Sequence, residues 1–171
     1  MNVNKLFIYI FLNLFFFIVC KLQMRVMHTS ILSFVPQLKL HHLVLISKVN
    51  EGGDVYTIDF TPINQSHMGT LTMLLLGRNV PAELRIRRIK NINIDDDKTI
   101  LQMWDSNITE NQSRELSKSV YTSIRDKEIK ESIALLLLWE KNKKYMNLYT
   151  RNCQHFGNYA KSNHRIYMEQ Q

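Results

Sequence analysis

Asn147-Leu148-Tyr149-Thr150-Arg151-Asn152-Cys153-Gln154-His155-Phe156-Gly157-Asn158-Tyr159-Ala160 is the stretch from which the fold is read. Asn152 is a favoured N-cap, because its side-chain oxygen accepts an orphan N–H of a first helical turn. Cys153 then takes the first helical position, where the N–H groups and the helix dipole favour an anion. A thiol placed there is expected to lose its proton more readily, and the thiolate is the nucleophile. Phe156 and Ala160 lie four apart and predict an apolar stripe that docks the helix on a core. The alternative is a buried, inert cysteine, the usual fate of a free Cys. The polar neighbours Arg151, Asn152, Gln154 and His155 speak against it.

Working outward, Lys39-Leu40-His41-His42-Leu43-Val44-Leu45-Ile46-Ser47 is apolar and β-branched, and predicts a buried strand. Side chains alternate across a strand, so His41 and His42 face opposite sides and only one can address a given site. Lys48 to Asp54, with Gly52-Gly53, reads as a hairpin turn, and Val55-Tyr56-Thr57-Ile58-Asp59-Phe60 as the return strand, closed by Thr61-Pro62.

The word Asn152-Cys153-Gln154-His155-Phe156 resembles the Asn-Cys-x-His-Phe signature of the permuted papain-like (NlpC-type) cysteine enzymes. That group includes lecithin:retinol acyltransferase-like proteins, small phospholipid acyltransferases and PPPDE peptidases. In it the catalytic histidine comes early in the chain and the cysteine late. The hairpin resembles the family's pattern of a His-x-x-x-Tyr-like strand followed by a strand with a second polar residue just before a Pro. Matched this way, the resemblance implies Cys153 as nucleophile, His41 as base and Asp59 as the third residue. The acyltransferases usually carry histidine in the third place, so aspartate departs from them towards the Cys-His-Asp set of papain-like peptidases.

The chemistry suits those roles. An imidazole takes the thiol proton and returns it to the leaving group, and a carboxylate behind it fixes the tautomer. N–H groups at the start of the Cys153 helix are candidates for stabilising an oxyanion. Taken alone, His41 reads as a structural strand histidine and Asp59 as a turn or cap carboxylate. His155 is the rival base, but two residues along a helix place it ~200° round from Cys153, so it should point away and hydrogen-bond structurally.

The resemblance therefore implies an α+β, permuted papain-like domain over residues 28–171, a small antiparallel sheet packed on helices. Its activity would be cysteine-dependent hydrolysis or acyl transfer through a thioester, on an amide (peptide or isopeptide) or lipid ester bond. The competing class is a catalytically inactive binding module of the same fold. No cofactor and no metal is called for. Partners would be a peptide, an isopeptide-linked protein or a lipid substrate, with membrane association through residues 6–20 and no nucleic acid.

The rest of the chain is consistent with one domain. The 171 residues suffice for a core, and 45% hydrophobic with 22% charged residues is ordinary for a globular protein. A net charge of +7 suits acidic partners or anionic lipid surfaces, but no zinc-finger spacing or RNP-like motif accompanies the basic residues. Cys20 and Cys153 provide no disulfide framework. Three sequons, at Asn64, Asn107 and Asn111, are what an Asn-rich chain holds by chance.

Leu6 to Cys20 is apolar except for Asn13 and is ended by Lys21. It is shorter than the ~20 residues of a membrane span and nearer to a signal-peptide core. Residues 1–27 are accordingly assigned to a signal or anchor segment, forming a helix over 6–20 that packs little against the body. That places the protein at a membrane or in the secretory pathway, or in the cytoplasm if residues 1–23 are a mis-assigned start. In the middle, Val80 to Ile89 predicts a strand, and Leu116, Val120 and Ile124 an amphipathic helix. Ile129 to Trp139 predicts a buried helix, Trp104 and Trp139 core residues, and Asp95-Asp96-Asp97 a helix start or a solvated turn rather than a metal cluster.

Three expectations test the assignment. Cys153 should lie ~3–4 Å from the His41 ring, residues 6–20 should form the detached helix, and Asp59 should orient His41 across the hairpin.

Overall fold

Among the described residues, five antiparallel strands run in the spatial order of the chain, with the helices inserted between and after them. The computed structural model describes residues 22–29, 41–48, 53–64, 67–104 and 110–169. Strand β1 is Leu22–Thr29, β2 His41–Lys48, β3 Val55–Pro62, β4 Val80–Ile89 and β5 Tyr145–Met146. The sheet order is β1-β2-β3-β4-β5. Helix α1 is Met68–Leu75, α2 Asp97–Trp104, α3 Glu110–Ser123, α4 Lys127–Asn142 and α5 Cys153–Glu169. The molecule is thus α+β with an antiparallel sheet.

The predicted hairpin, the strand over 80–89 and both helices form; the first helix begins six residues before Leu116 and ends one before Ile124, and the second extends two residues before Ile129 and three beyond Trp139. Strand β1 is not foreseen by the sequence analysis, nor are helix α1 and the short strand β5. Strand β1 pairs with β2 along its whole length, from Leu22↔Lys48 to Thr29↔His41. The folded body therefore reaches back to Leu22, across the 27/28 boundary drawn from composition. The helix expected over residues 6–20 lies outside the described residues. No helix among the described residues is long and apolar enough to cross a membrane.

Alternation along the strands gives the sheet two unlike faces. One packs Val44, Ile46, Tyr56, Ile58, Phe60, Leu84 and Ile86 against α3, α4 and α5. An aromatic cluster locks the last two helices onto it. Trp139 of α4 lies 5.8 Å from Phe60, 5.9 Å from Phe156 and 5.2 Å from Tyr159, ring centre to ring centre. The Tyr159 hydroxyl donates to the Leu135 carbonyl at 3.1 Å, so α5 is fixed on α4 by packing and by a directional bond. Phe156 and Ala160, the predicted stripe, are fully buried.

The second face carries Met27, Leu43, Leu45, Val55 and Ile89, which pack with Ile92, Ile94 and Ile100 of the α2 region. Arg25 of β1 ties this layer down through Asp95 and Asp97. Asp96 accepts the Thr99 N–H at 3.1 Å, so of its two expected roles the acidic triplet takes the helix start. The remainder of this face is polar and equally buried. Thr29, His41, Thr57, Asp59, Thr61, Glu83 and Arg85 are all less than a tenth exposed.

Candidate functional site

The turn before α5 is built by asparagines. Asn147 pairs with Arg151 in a two-way backbone bridge, and its side-chain oxygen accepts the N–H groups of Tyr149 and Thr150. Asn152 then caps the helix as its residue type predicts. Its Oδ1 accepts the N–H of Gln154 at 2.9 Å and of His155 at 3.2 Å, while its Nδ2 donates to the Leu148 carbonyl. Cys153 is thereby fixed as the first residue of α5.

Gly157, one turn on, faces the sheet beside it. A methyl group at that position would lie 3.4 Å from Val26 Cγ1 and 3.7 Å from His42 Cβ, ordinary contact distances, so a small side chain fits where α5 lies on β1 and β2 and a larger one does not. Cys153 Sγ lies 3.8 Å from His42 Nδ1, within reach of a sulfur hydrogen bond. His28, directly opposite His42 in the β1–β2 register, stacks edge-on against it with ring centres 4.4 Å apart. The thiol is buried, His42 half-buried and His28 exposed. The site therefore runs from a packed sulfur outward through two stacked imidazoles.

The expectation of an easily ionised thiol is not met. Burial pushes the Cys153 thiol above its ordinary value, outweighing the N–H groups of His42, Cys153 and Gln154 that favour the thiolate; the negative charge of Asp59 adds to the rise. A helix start favours an anion, but here desolvation is the larger effect. Two of the first-turn N–H groups, those of Gln154 and His155, also donate to Asn152 Oδ1, so the Gln154 N–H is shared between the cap and the sulfur.

His41, the histidine matched to the base, does not join the thiol. It alternates onto the other face of the sheet, where its Nε2 lies 3.8 Å from Asp59 Oδ2. The proposed set is thus split: His41 and Asp59 come together as the hairpin register predicts, and Cys153 meets the neighbouring histidine instead. Nor is the His41–Asp59 contact an imidazolium–carboxylate pair at neutral pH. Burial, with the positive charges of Arg85 and Arg87, lowers the His41 pKa to about 4, so the ring is neutral despite the nearby carboxylate. Asp59 lies opposite Arg85 on β4. Arg85 in turn donates to Glu83 and to the carbonyls of Pro62 and Ile63, each at 3.3 Å.

His155 is exposed and its Nδ1 lies 2.9 Å from Asn152 Oδ1, the structural contact expected of it. No group of three His, Cys, Asp or Glu side chains among the described residues is placed to hold a metal ion.

Sequence reasoning missed two residues here. His42 was one of two equal candidates, and β2 offers no alternation to choose between them because Leu43 to Ile46 is apolar on both faces. His28 was missed because the boundary drawn at 27/28 cuts its strand just before it; the usable signal was an alternating apolar–polar run continuing back from it through Val26, Met24 and Leu22.

The molecule is, by its fold, an α+β protein whose antiparallel sheet presents a strand histidine to a cysteine at a helix start. No family model, no curated protein and no solved structure matches the chain.

Proposed function

We propose that the protein is a cysteine-dependent acyl hydrolase or acyltransferase of the permuted papain-like arrangement, acting through a thioester at Cys153 with His42 as its base. The single observation that carries this reading is the 3.8 Å approach of Cys153 Sγ to His42 Nδ1 at a capped helix start. The chain order supports it as well, a strand histidine early and a helix-start cysteine late.

His42 Nδ1 takes the proton from Sγ, and the sulfur attacks the carbonyl carbon of an amide or ester. The protonated ring passes that proton to the departing amine or alcohol. Water, or the hydroxyl or amine of an acceptor, then gives its proton to His42 and resolves the thioester, restoring the thiol. Because burial holds the thiol protonated at rest, the base is needed at the moment of attack. His28 packs edge-on to His42 and holds the ring turned towards the sulfur. Amide and lipid-ester substrates both fit this chemistry.

The inert-module reading has one observation in its favour, the buried and raised thiol. Acylation separates the two. On incubation with p-nitrophenyl acetate, intact mass should show one added acetyl group, mapping to Cys153, released by hydroxylamine and missing in Cys153→Ala. Acetylation that maps elsewhere, or survives in Cys153→Ala, refutes the enzyme reading.

A further inference from the structure

Phe60 through Ala82 and Lys141 through Met168 are among the stretches of the chain that hold no acidic residue. Between them they carry seven Lys and Arg, one in the first and six in the second, against a formal excess of +7 for the whole chain. The fold joins the two stretches side by side. Strand β5 pairs with the start of β4 through Val80↔Met146 and Pro81↔Tyr145, and the Ala82 N–H donates to the Lys144 carbonyl at 3.0 Å. Asn147 Nδ2 donates to the Gly77 carbonyl at 2.7 Å, and the Tyr149 hydroxyl to the Leu75 carbonyl at 3.1 Å.

Helix α1, which lies on this seam, has no charged side chain, and only Leu74 of its residues is buried. Its outward surface is Met68, Met73 and Leu75, continued by Leu76; the two leucines are 69% and 71% exposed. Tyr149, 65% exposed and bonded to the end of α1, extends the apolar surface into the turn before Cys153. Scattered apolar side chains are normal on a surface, whereas a bonded cluster of this size marks an interaction site. Arg78, Lys143 and Lys144 are exposed around it, and Arg151 is half-buried.

We propose that α1 and the Tyr145–Arg151 segment dock on the surface of an anionic lipid bilayer. The methionines and leucines enter the boundary between headgroups and acyl chains, and the surrounding cations meet lipid phosphates and carboxylates. Nucleic acid would be gripped by stacking rings and base-edge donors, which Met and Leu do not supply. Folded-protein interfaces are depleted in lysine, which rims this patch. Tyr149 is four residues before Cys153, so docking brings the start of α5 close to the membrane. The docking itself does not depend on the thiol chemistry.

Co-sedimentation of the full chain with vesicles tests it. The protein should partition onto phosphatidylcholine–phosphatidylserine vesicles, less at high salt, and much less onto phosphatidylcholine alone. Leu75→Ser/Leu76→Ser, both at exposed positions, should weaken partition about tenfold or more. Lys143→Gln/Lys144→Gln should weaken it about fivefold per charge removed. Met103→Ser, an exposed position on α2, should change nothing. Three results would overturn the proposal: no partition, equal partition onto neutral vesicles, or full partition by the leucine variant, which would assign binding to another segment such as residues 6–20. A wild-type dimer that the leucine variant abolishes, without vesicle binding, would give the patch to a second copy of the chain and equally refute it.

Discussion

His41 and His42 are consecutive residues of β2, yet the two faces of the sheet treat them in opposite ways. His42 emerges under a helix start, half-buried, with a thiol on one side and a second imidazole on the other. His41 is buried among Asp59, Arg85 and Arg87 and held neutral. One face spends its polar groups on a reactive position, and the other on closing a buried polar layer between strands. A carboxylate beside a histidine is therefore not enough to identify a catalytic pair. The face on which the pair lies, relative to the nucleophile, decides.

The contrast can be broken at several points. Asp59→Ala should be the most damaging, because it strips a 2% exposed carboxylate from a layer that holds Arg85 and His41. A loss of about 3 kcal/mol in urea unfolding is expected, with the acylation rate of the folded fraction unchanged. A selective loss of acylation at wild-type stability would restore Asp59 to the catalytic set.

The pH dependence of stability comes next. His41 binds its proton at about 4 when folded and at about 6.5 when unfolded, so the unfolded chain holds more protons in that interval. Stability that is fully present above pH 6.5 is accordingly lost as pH falls towards 4, by up to about 3 kcal/mol. In His41→Gln the part of the slope due to this group should vanish. An unchanged slope would mean that His41 is not buried neutral.

On the thiol face, Gly157→Leu should overpack α5 against Val26 and His42 at a cost of about 2 kcal/mol, and should also lower Cys153 acylation. Gly157→Ala makes only ordinary contacts and should be neutral or slightly stabilising. Equal behaviour of the two would show that the close approach of the helix is not what sets the Cys–His distance. The smallest effect is expected from Asn152→Ala, about 1 kcal/mol for the lost cap. Thermal melting measures it directly, and an unchanged midpoint would show the cap to be dispensable.

Much of the fold was legible in the chain because local chemistry and tertiary position agree. Asn152 caps where its side chain predicts, Pro81 lies near the start of β4, and Leu116 and Val120 lie on a helix that ends just before Ile124. Strand β1 was hidden because its neighbouring apolar run dominates the composition of the first residues. The choice between His41 and His42 was hidden for a different reason. A strand buried on both faces carries no polar side to read its orientation from, and a one-residue error moves every side chain to the opposite face. The ionisation of Cys153 was misread because a helix start is visible in sequence and the depth of burial is not.

The central claim is that His42, and not His41, serves Cys153. Single-turnover acylation of Cys153 by p-nitrophenyl acetate, measured on folded wild type, His42→Gln and His41→Gln, tests it most directly. The rate should fall about 100-fold in His42→Gln and stay near wild type in His41→Gln. Equal rates in all three proteins, or a loss confined to His41→Gln, would contradict it.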